Sequence, residues 1–135
     1  MNAVIVYWSM TGNTQSIAEA IKKDLNCDLF FVNDCSCDEI LKYDTIILGC
    51  PAMGSESLEE DSFKPFNDKL LSMISSQRIF LFGSYDWGDG EWMRNWVEEV
   101  KGYGGNLIGK PLIVNGDISN ANMQDYNYFI SQIKQ

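Results

Sequence analysis

Five short apolar runs, separated by helical patterns, constrain the fold of this chain more than any other feature. Most are too short and too rich in β-branched or aromatic residues for helices, and they cover Ala3 to Tyr7, Leu29 to Val32, Thr45 to Gly49, Ile79 to Gly83 and Leu112 to Val114. One-sided helical spacing is found in Ile17 to Leu25, Phe63 to Met73, Met93 to Val100 and Tyr126 to Ile133, and a short helix is expected around Asp38 to Lys42. Strands without polar alternation, separated by helices, predict a parallel sheet covered on both faces.

The expected architecture is an α/β three-layer sandwich with a five-stranded sheet. Right-handed crossovers allow the strand order 2-1-3-4-5, which places the topological switch point between the first and third strands. Ligands then bind beyond the carboxyl ends of strands 1, 3 and 4, where the loops Trp8 to Asn13, Cys50 to Asp61 and Tyr85 to Glu91 follow. The length of 135 residues predicts a single domain over residues 1–135.

The first of these loops has the composition of a phosphate site. Ser9-Met10-Thr11-Gly12-Asn13-Thr14 joins the first strand to the first helical pattern, where unpaired N–H groups and the positive end of the helix dipole meet. The loop contains no Lys or Arg, so a bound anion would be held by neutral dipoles. The same residue types are common in turns and N-caps. Their position after the first strand favours the anion site.

The other two loops each carry one large residue among glycines and acids. Trp87 has Asp86 and Gly88 as neighbours, which keep the backbone at the surface and leave the indole little core to join. Tyr85 and Trp92 are expected to tuck into the core instead. A planar ligand could stack on Trp87 with Met53 on its other face. With the phosphate loop, this pair predicts a flat heterocycle that carries one phosphate group.

The charge of the chain restricts its partners. Ten basic and nineteen acidic residues give a net charge of −9, which makes nucleic acid and anionic membranes poor partners. Between residues 53 and 91 the acids outnumber the basic residues by eight to three; these acids are Glu56, Glu59, Glu60, Asp61, Asp68, Asp86, Asp89 and Glu91. Acids also collect in loops for solubility alone. Because these acids flank the predicted site, we expect a partner with a basic surface.

Cellular location and cysteine state follow from what the sequence lacks. No apolar run approaches the roughly 20 residues needed to span a bilayer, and the N-terminus has no signal-peptide pattern, so a cytoplasmic protein is expected. The four cysteines, Cys27, Cys35, Cys37 and Cys50, are expected to be free thiols. Cys35 and Cys37 are spaced too closely for a usual zinc site and the chain has no His, so we predict exposed loop cysteines and no metal.

These loops together resemble the flavin-contacting loops of short-chain flavodoxins, particularly the clostridial type. The resemblance covers Ser9 to Thr14, which fits the pattern Ser-x-Thr-Gly-Asn-Thr, then Gly49 to Glu56 and Phe82 to Arg94. It implies bound flavin mononucleotide (FMN). Ser9, Thr11, Gly12, Asn13 and Thr14 would hold the phosphate, Met53 and Trp87 would flank the isoalloxazine, and Glu56 would accept from the flavin N3–H. The full expected site comprises Ser9, Met10, Thr11, Gly12, Asn13, Thr14, Ala52, Met53, Gly54, Ser55, Glu56, Ser84, Tyr85, Asp86, Trp87 and Gly88.

The resemblance also implies a function: a low-potential, one-electron carrier rather than an enzyme. The turn from Met53 to Glu56 is expected to be type II′, with positive φ at Gly54, or type II, with positive φ at Ser55, and to swing between them. The family implies that the Gly54 carbonyl turns toward the flavin N5 on one-electron reduction and stabilises the neutral semiquinone. Flavodoxin or ferredoxin reductases and other oxidoreductases with basic docking surfaces would be the partners of a monomeric protein.

The same residues exclude several other classes of protein with a similar fold or a phosphate site. The patterns of low-molecular-weight phosphatases, P-loop hydrolases and response-regulator receivers are absent. Two alternatives remain: an FMN-dependent reductase of a quinone or nicotinamide, and a flavin-free adaptor on the same fold. Three residues depart from those common in the family: Met10, Ser55 and Asp86. These departures bear on the conformation of the loops and on the redox potential of the flavin.

Overall fold

The computed structural model describes residues 2–135 and contains strands and helices in alternation. The strands are β1 (Ala3–Tyr7), β2 (Asp28–Phe31), β3 (Thr45–Gly49), β4 (Arg78–Tyr85), β5 (Asn106–Leu107) and β6 (Leu112–Asn115). The helices are α1 (Asn13–Leu25), α2 (Cys37–Ile40), α3 (Phe63–Ser72), α4 (Glu91–Gly102) and α5 (Met123–Lys134). Single 3₁₀ turns follow β2 and β6. Within residues 2–135, the helices fall short of the length and apolar character that a membrane crossing requires.

The sheet is parallel and confirms the predicted order. β2, β1, β3 and β4 lie side by side, and β5 and β6 both pair with β4. The last position is therefore shared by two short strands, where the sequence predicted one. Residues 108–111 separate them because Gly109 has φ 65° and Pro111 has no N–H to donate to the ladder.

Successive residues of the central strands enter two separate cores. In β1, Val4 belongs to the cluster that contains Phe63 and Trp96, whereas Ile5 belongs to the cluster with Ile17 and other residues of α1 and α5. Both residues are fully buried. Since side chains alternate across a strand, apolar residues at every position are what a sheet with two covered faces needs. This explains the absence of polar alternation in the sequence.

A buried carboxylate satisfies the N-terminus of α3. Glu59 is only 6% exposed, and it accepts backbone hydrogen bonds from Asp61 (2.8 Å), Ser62 (2.9 Å) and Phe63 (2.7 Å). The residue at the N-cap position, Ser62, makes no side-chain cap of its own. Glu59 therefore acts as a cap from outside the helix and complements the helix dipole. Glu59 is not part of the solvent-exposed acidic surface that the sequence predicted.

We expect Glu59→Ala to lower the free energy of unfolding by about 2 kcal/mol, because three N–H groups lose a charged acceptor in a buried setting. Urea denaturation of the variant and of the unchanged protein measures the difference. Glu60→Ala is the matched control, since Glu60 is exposed and adjacent. Equal stability of the two variants would contradict the role of Glu59.

Candidate functional site

Backbone hydrogen bonds hold three loops next to one another at the carboxyl edge of the sheet. The ladder continues past the strand ends through Trp8 N–H to Gly49 O (3.1 Å), Cys50 N–H to Phe82 O (3.2 Å) and Ala52 N–H to Ser84 O (3.0 Å). A groove opens between the loops. Its walls come from Trp8, Ser9, Met10, Thr11, Asn13, Thr14, Pro51, Ala52, Met53, Ser84, Tyr85 and Asp86.

The N-terminus of α1 faces this groove with free donors. Gly12 occupies the N-cap with φ 95°, a left-handed conformation that glycine adopts without strain, and no side chain caps the helix. Within residues 2–135, the N–H groups of Asn13, Thr14 and Gln15 donate to no acceptor. The Gly12 N–H is already bonded to Ser9 Oγ (3.2 Å). Unpaired donors at the positive end of a helix dipole fit an anion such as a phosphate.

A buried hydroxyl pair connects this loop to the end of β4. Thr14 Oγ1 lies 2.7 Å from Ser84 Oγ, and the two residues are 1% and 3% exposed. Each hydroxyl thereby has a partner away from water. Thr14 and Ser84 were both predicted site residues, and the structure brings them together as a link between two loops.

The turn from Met53 to Glu56 differs from both predicted types. The Glu56 N–H donates to Met53 O (2.8 Å) and the Met53 N–H donates to Ser57 O (3.0 Å), which closes a three-residue loop. Positive φ is found at Glu56 (55°), not at Gly54 or Ser55. The prediction of a type II or II′ turn was wrong, because a loop of this length combines a type I-like turn with a left-handed third residue.

Glu56 reaches from its own loop to the N-terminus of α4. Its Oε2 accepts from the Trp92 N–H at 3.0 Å, and Gly90, the N-cap residue, has no side chain to do so. A Cβ placed on Gly88 would lie 2.2 Å from Glu56 Oε1, so the carboxylate sits directly against that glycine. Glu56 thus joins the second and third loops, and Gly88, with φ 91°, provides a left-handed backbone and the room for this close approach.

The aromatic residues of the third loop divide as the sequence predicted. Trp92 is 1% exposed, donates its indole N–H to Cys50 O (3.1 Å) and packs beside Tyr85, with ring centroids 5.6 Å apart. Trp87 is 65% exposed and stands outside the groove lining. Met53 is half-buried and lines the groove. Trp87 and Met53 are therefore a free aromatic face and a flexible apolar side chain at the same edge of the sheet.

The remaining predicted residues vary in exposure, and two groove residues were missed. Gly54, Ser55 and Gly88 are exposed, and Met10 is 71% exposed on the first loop. Trp8 and Pro51 line the groove although the sequence prediction left them out of the site. The sequence signal for both was adjacency, since each lies in a loop assigned to the site and directly precedes a predicted site residue, Ser9 or Ala52.

The cysteines are free thiols, as predicted, but they are not exposed loop residues. Ser36 forms a capping box with Glu39 at the start of α2, which buries Cys37 to 5% exposure. Burial raises the pKa of the Cys35 and Cys50 thiols to about 12. In the described part of the chain, no group of three His, Cys, Asp or Glu residues is placed to hold a metal ion.

The comparison with known families identifies the chain. The family model for flavodoxins matches residues 5–128. This chain belongs to the flavodoxin family. Flavodoxins bind FMN and transfer electrons, so this flavodoxin is an FMN-based electron carrier rather than an enzyme.

Two short-chain relatives agree with this assignment. A flavodoxin of Clostridium beijerinckii is 46% identical over 122 residues, which cover 87% of this chain and 88% of the relative. A flavodoxin of Megasphaera elsdenii is 42% identical over 114 residues, with coverage of 81% and 83%. The predicted short-chain type is confirmed.

Solved structures support the fold in the same way. The solution structure of the two-electron reduced Megasphaera elsdenii flavodoxin has a TM-score of 0.87 at 36% identity, with 98% of this flavodoxin and 99% of that chain covered. The crystal structure of oxidised flavodoxin 2 from Bacillus cereus has a TM-score of 0.82 at 26% identity, with 99% of both chains covered.

The bond between Glu56 and the Trp92 N–H gives a testable link between loops. We expect Glu56→Ala to speed hydrogen exchange of the Trp92 amide about tenfold, because the amide loses a charged acceptor. NMR or mass-spectrometric exchange of the native protein measures this rate. Ser55→Ala, in the same turn, should leave it unchanged. Equal exchange in the Glu56 variant and the unchanged protein would show that the bond does not hold the loops together.

Proposed function

We propose that this flavodoxin shuttles single electrons between cytoplasmic redox enzymes, with FMN held by the sixteen residues predicted from the sequence. The observation that supports the proposal most is the uncapped N-terminus of α1 in a groove bordered by all three loops. We also propose that residues 1–135 act as one FMN-binding domain and as a monomer.

The phosphate of FMN would sit at the start of α1. The free N–H groups of Asn13, Thr14 and Gln15 supply donors, and the hydroxyls of Ser9 and Thr11 supply more. Among residues 2–135, neither Lys nor Arg lines the groove. The phosphate would keep its negative charge without a neighbouring cation, which opposes further negative charge on the flavin.

The isoalloxazine would lie between Met53 and Trp87, at the open side of the groove. The groove itself encloses about 90 Å³, well below the roughly 300 Å³ at which ligand pockets begin. The groove would therefore accommodate the phosphate end of FMN. The isoalloxazine ring would lie outside it and contact the outer loops. The exposed face of Trp87 is available for stacking, and Met53 has the flexibility to adapt to the other face.

Glu56 would accept the flavin N3–H without losing its bond to α4. A carboxylate has two oxygens and about four acceptor positions, of which the Trp92 N–H uses one. This arrangement would connect the ring directly to the N-terminus of α4. The carboxylate would also place a negative charge near the ring. This charge would lower the reduction potential of the second electron step, which forms the fully reduced flavin.

Gly54 would be the hinge that favours one-electron steps. A Cβ at this position would meet nothing within 4 Å, so the peptide has room to rotate. Rotation of the Gly54–Ser55 peptide from the present turn changes ψ of Gly54 and φ of Ser55 and gives the positive φ of a type II turn at Ser55, and Gly54 has no Cβ to oppose the rotating carbonyl. The Gly54 carbonyl would then accept a hydrogen bond from N5 of the half-reduced ring.

The partners would be flavodoxin or ferredoxin reductases and other oxidoreductases with basic docking surfaces. Asp86 and Asp89 are exposed on the loop that carries Trp87, and Glu91 is exposed at the start of α4. With the net charge of −9, they would steer a basic partner toward the exposed edge of the flavin.

A reductive titration tests the function. The purified protein is mixed with FMN and followed by visible absorbance during stepwise anaerobic reduction with dithionite. We expect a long-wavelength band of half-reduced neutral flavin that rises and then disappears, because the carrier separates the two electron steps. Direct bleaching would point to a two-electron reductase. Absence of FMN binding would leave a flavin-free adaptor.

Trp87→Ala should raise the dissociation constant of FMN about tenfold through loss of stacking, and Trp87→Phe should recover part of the affinity. Quenching of FMN fluorescence during titration measures both. Tyr128→Ala is the control, since Tyr128 is a similarly exposed aromatic residue on α5. Unchanged affinity of the Trp87→Ala variant would remove Trp87 from the site.

A further inference from the structure

A second and larger groove lies between α4 and β6. It encloses about 520 Å³, and its walls are mainly apolar, with Met93, Val97, Pro111 and Ile113 among its lining residues. Asp89 and Gly90 form its upper end. These two residues belong to the loop that carries Trp87, so this α4–β6 groove adjoins a loop of the proposed flavin site.

The groove lies open at the edge of the sheet, where two short strands, β5 and β6, share the last position beside β4. β6 is an edge strand whose residues alternate between buried and exposed. Ile113, on its outward side, is 38% exposed, whereas its neighbours Leu112 and Val114 are each 2% exposed. An apolar side chain that faces a groove of this size, at the edge of a sheet, has the character of a contact surface.

The charges around the groove decide which kind of partner fits it. Arg94 is paired with Asp89 (3.0 Å), and Lys110 is paired with Asp125 (3.7 Å). Asp86 and Glu91, on the adjoining loop and helix start, form no ion pair within residues 2–135. The uncompensated charge beside the groove is therefore negative, which favours a basic surface.

The net charge also argues against a second copy of this chain as the occupant. Two chains that each carry a charge of −9 repel one another when their surfaces meet. A basic protein has no such barrier.

We propose that the α4–β6 groove anchors an apolar side chain of the basic redox partner and so docks that partner beside Trp87. This inference rests on the proposed function. Small interfaces commonly combine an apolar centre with a charged rim. The groove supplies the apolar centre, and Asp86 and Glu91 supply the negative rim. An anchor at Asp89 and Gly90 would hold the partner within a few residues of the flavin edge, where an electron has the shortest distance to travel.

The test uses the FMN-loaded protein and a ferredoxin–NADP⁺ reductase as the probe. Stopped-flow absorbance measures the second-order rate at which the NADPH-reduced reductase reduces the bound FMN. The variants are Ile113→Gln, on the β6 wall, and Val97→Gln, on the α4 wall. Met123→Gln is the control, because Met123 is 60% exposed on α5 and does not line the groove. FMN affinity and reduction by dithionite are measured for every variant.

We expect both groove variants to lower the rate with the reductase about tenfold, and the control to stay within twofold of the unchanged protein. FMN affinity and dithionite reduction should not change. Rates within twofold for both groove variants, or an equal loss in the control, would overturn the groove proposal alone.

If Ile113→Gln weakens FMN binding because Ile113 lines the same groove as Gly90, Val97→Gln decides the result from the opposite wall. Failure of the unchanged protein to bind FMN or to accept electrons from the reductase would overturn the proposed function and the groove proposal with it.

Discussion

The register of the parallel ladder is the constraint on which the rest of this structure depends. Tyr7 pairs with Gly49, and Gly49 pairs with Phe82, so β1 and β3 end side by side and β4 continues beside them to Tyr85. The three loops that follow them must meet. Gly49 and Gly83 permit this close packing, because a Cβ at either position would lie 2.1 to 2.2 Å from Phe82 or from Cys50 O. Loop composition then determines what the shared edge binds.

The helices that follow β1, β3 and β4 differ at their N-termini, and this difference favours an anion site at α1. Glu59 accepts hydrogen bonds from the start of α3, and Glu56 accepts one from the start of α4. Among residues 2–135, no side chain caps the first turn of α1, whose N-cap residue is Gly12. Of these three helices, two have an N-terminus bound by one of the protein's own carboxylates, and α1 retains donors for a phosphate.

The sequence was sufficient for five of the six strands, their order, the buried Trp92 and the exposed Trp87, because these follow from periodicity and from local glycines. It was not sufficient for contacts between loops. That Glu56 caps α4 depends on two segments 36 residues apart in the chain. Three other features likewise depend on hydrogen bonds that exist only in the folded chain. They are the turn at Gly54, the capping role of Glu59 and the burial of Cys37. The interruption near Gly109 and Pro111 could have been inferred from those residues.

The Thr14–Ser84 hydroxyl pair has a consequence for cofactor exchange. The pair forms without any ligand atom and joins the first loop to the end of β4. If the phosphate of FMN binds as proposed, little conformational entropy would be lost when it enters, and the affinity gained there would not be spent on ordering the backbone. Preorganisation of this kind would let the protein release and regain its flavin while the sheet and both cores stay folded.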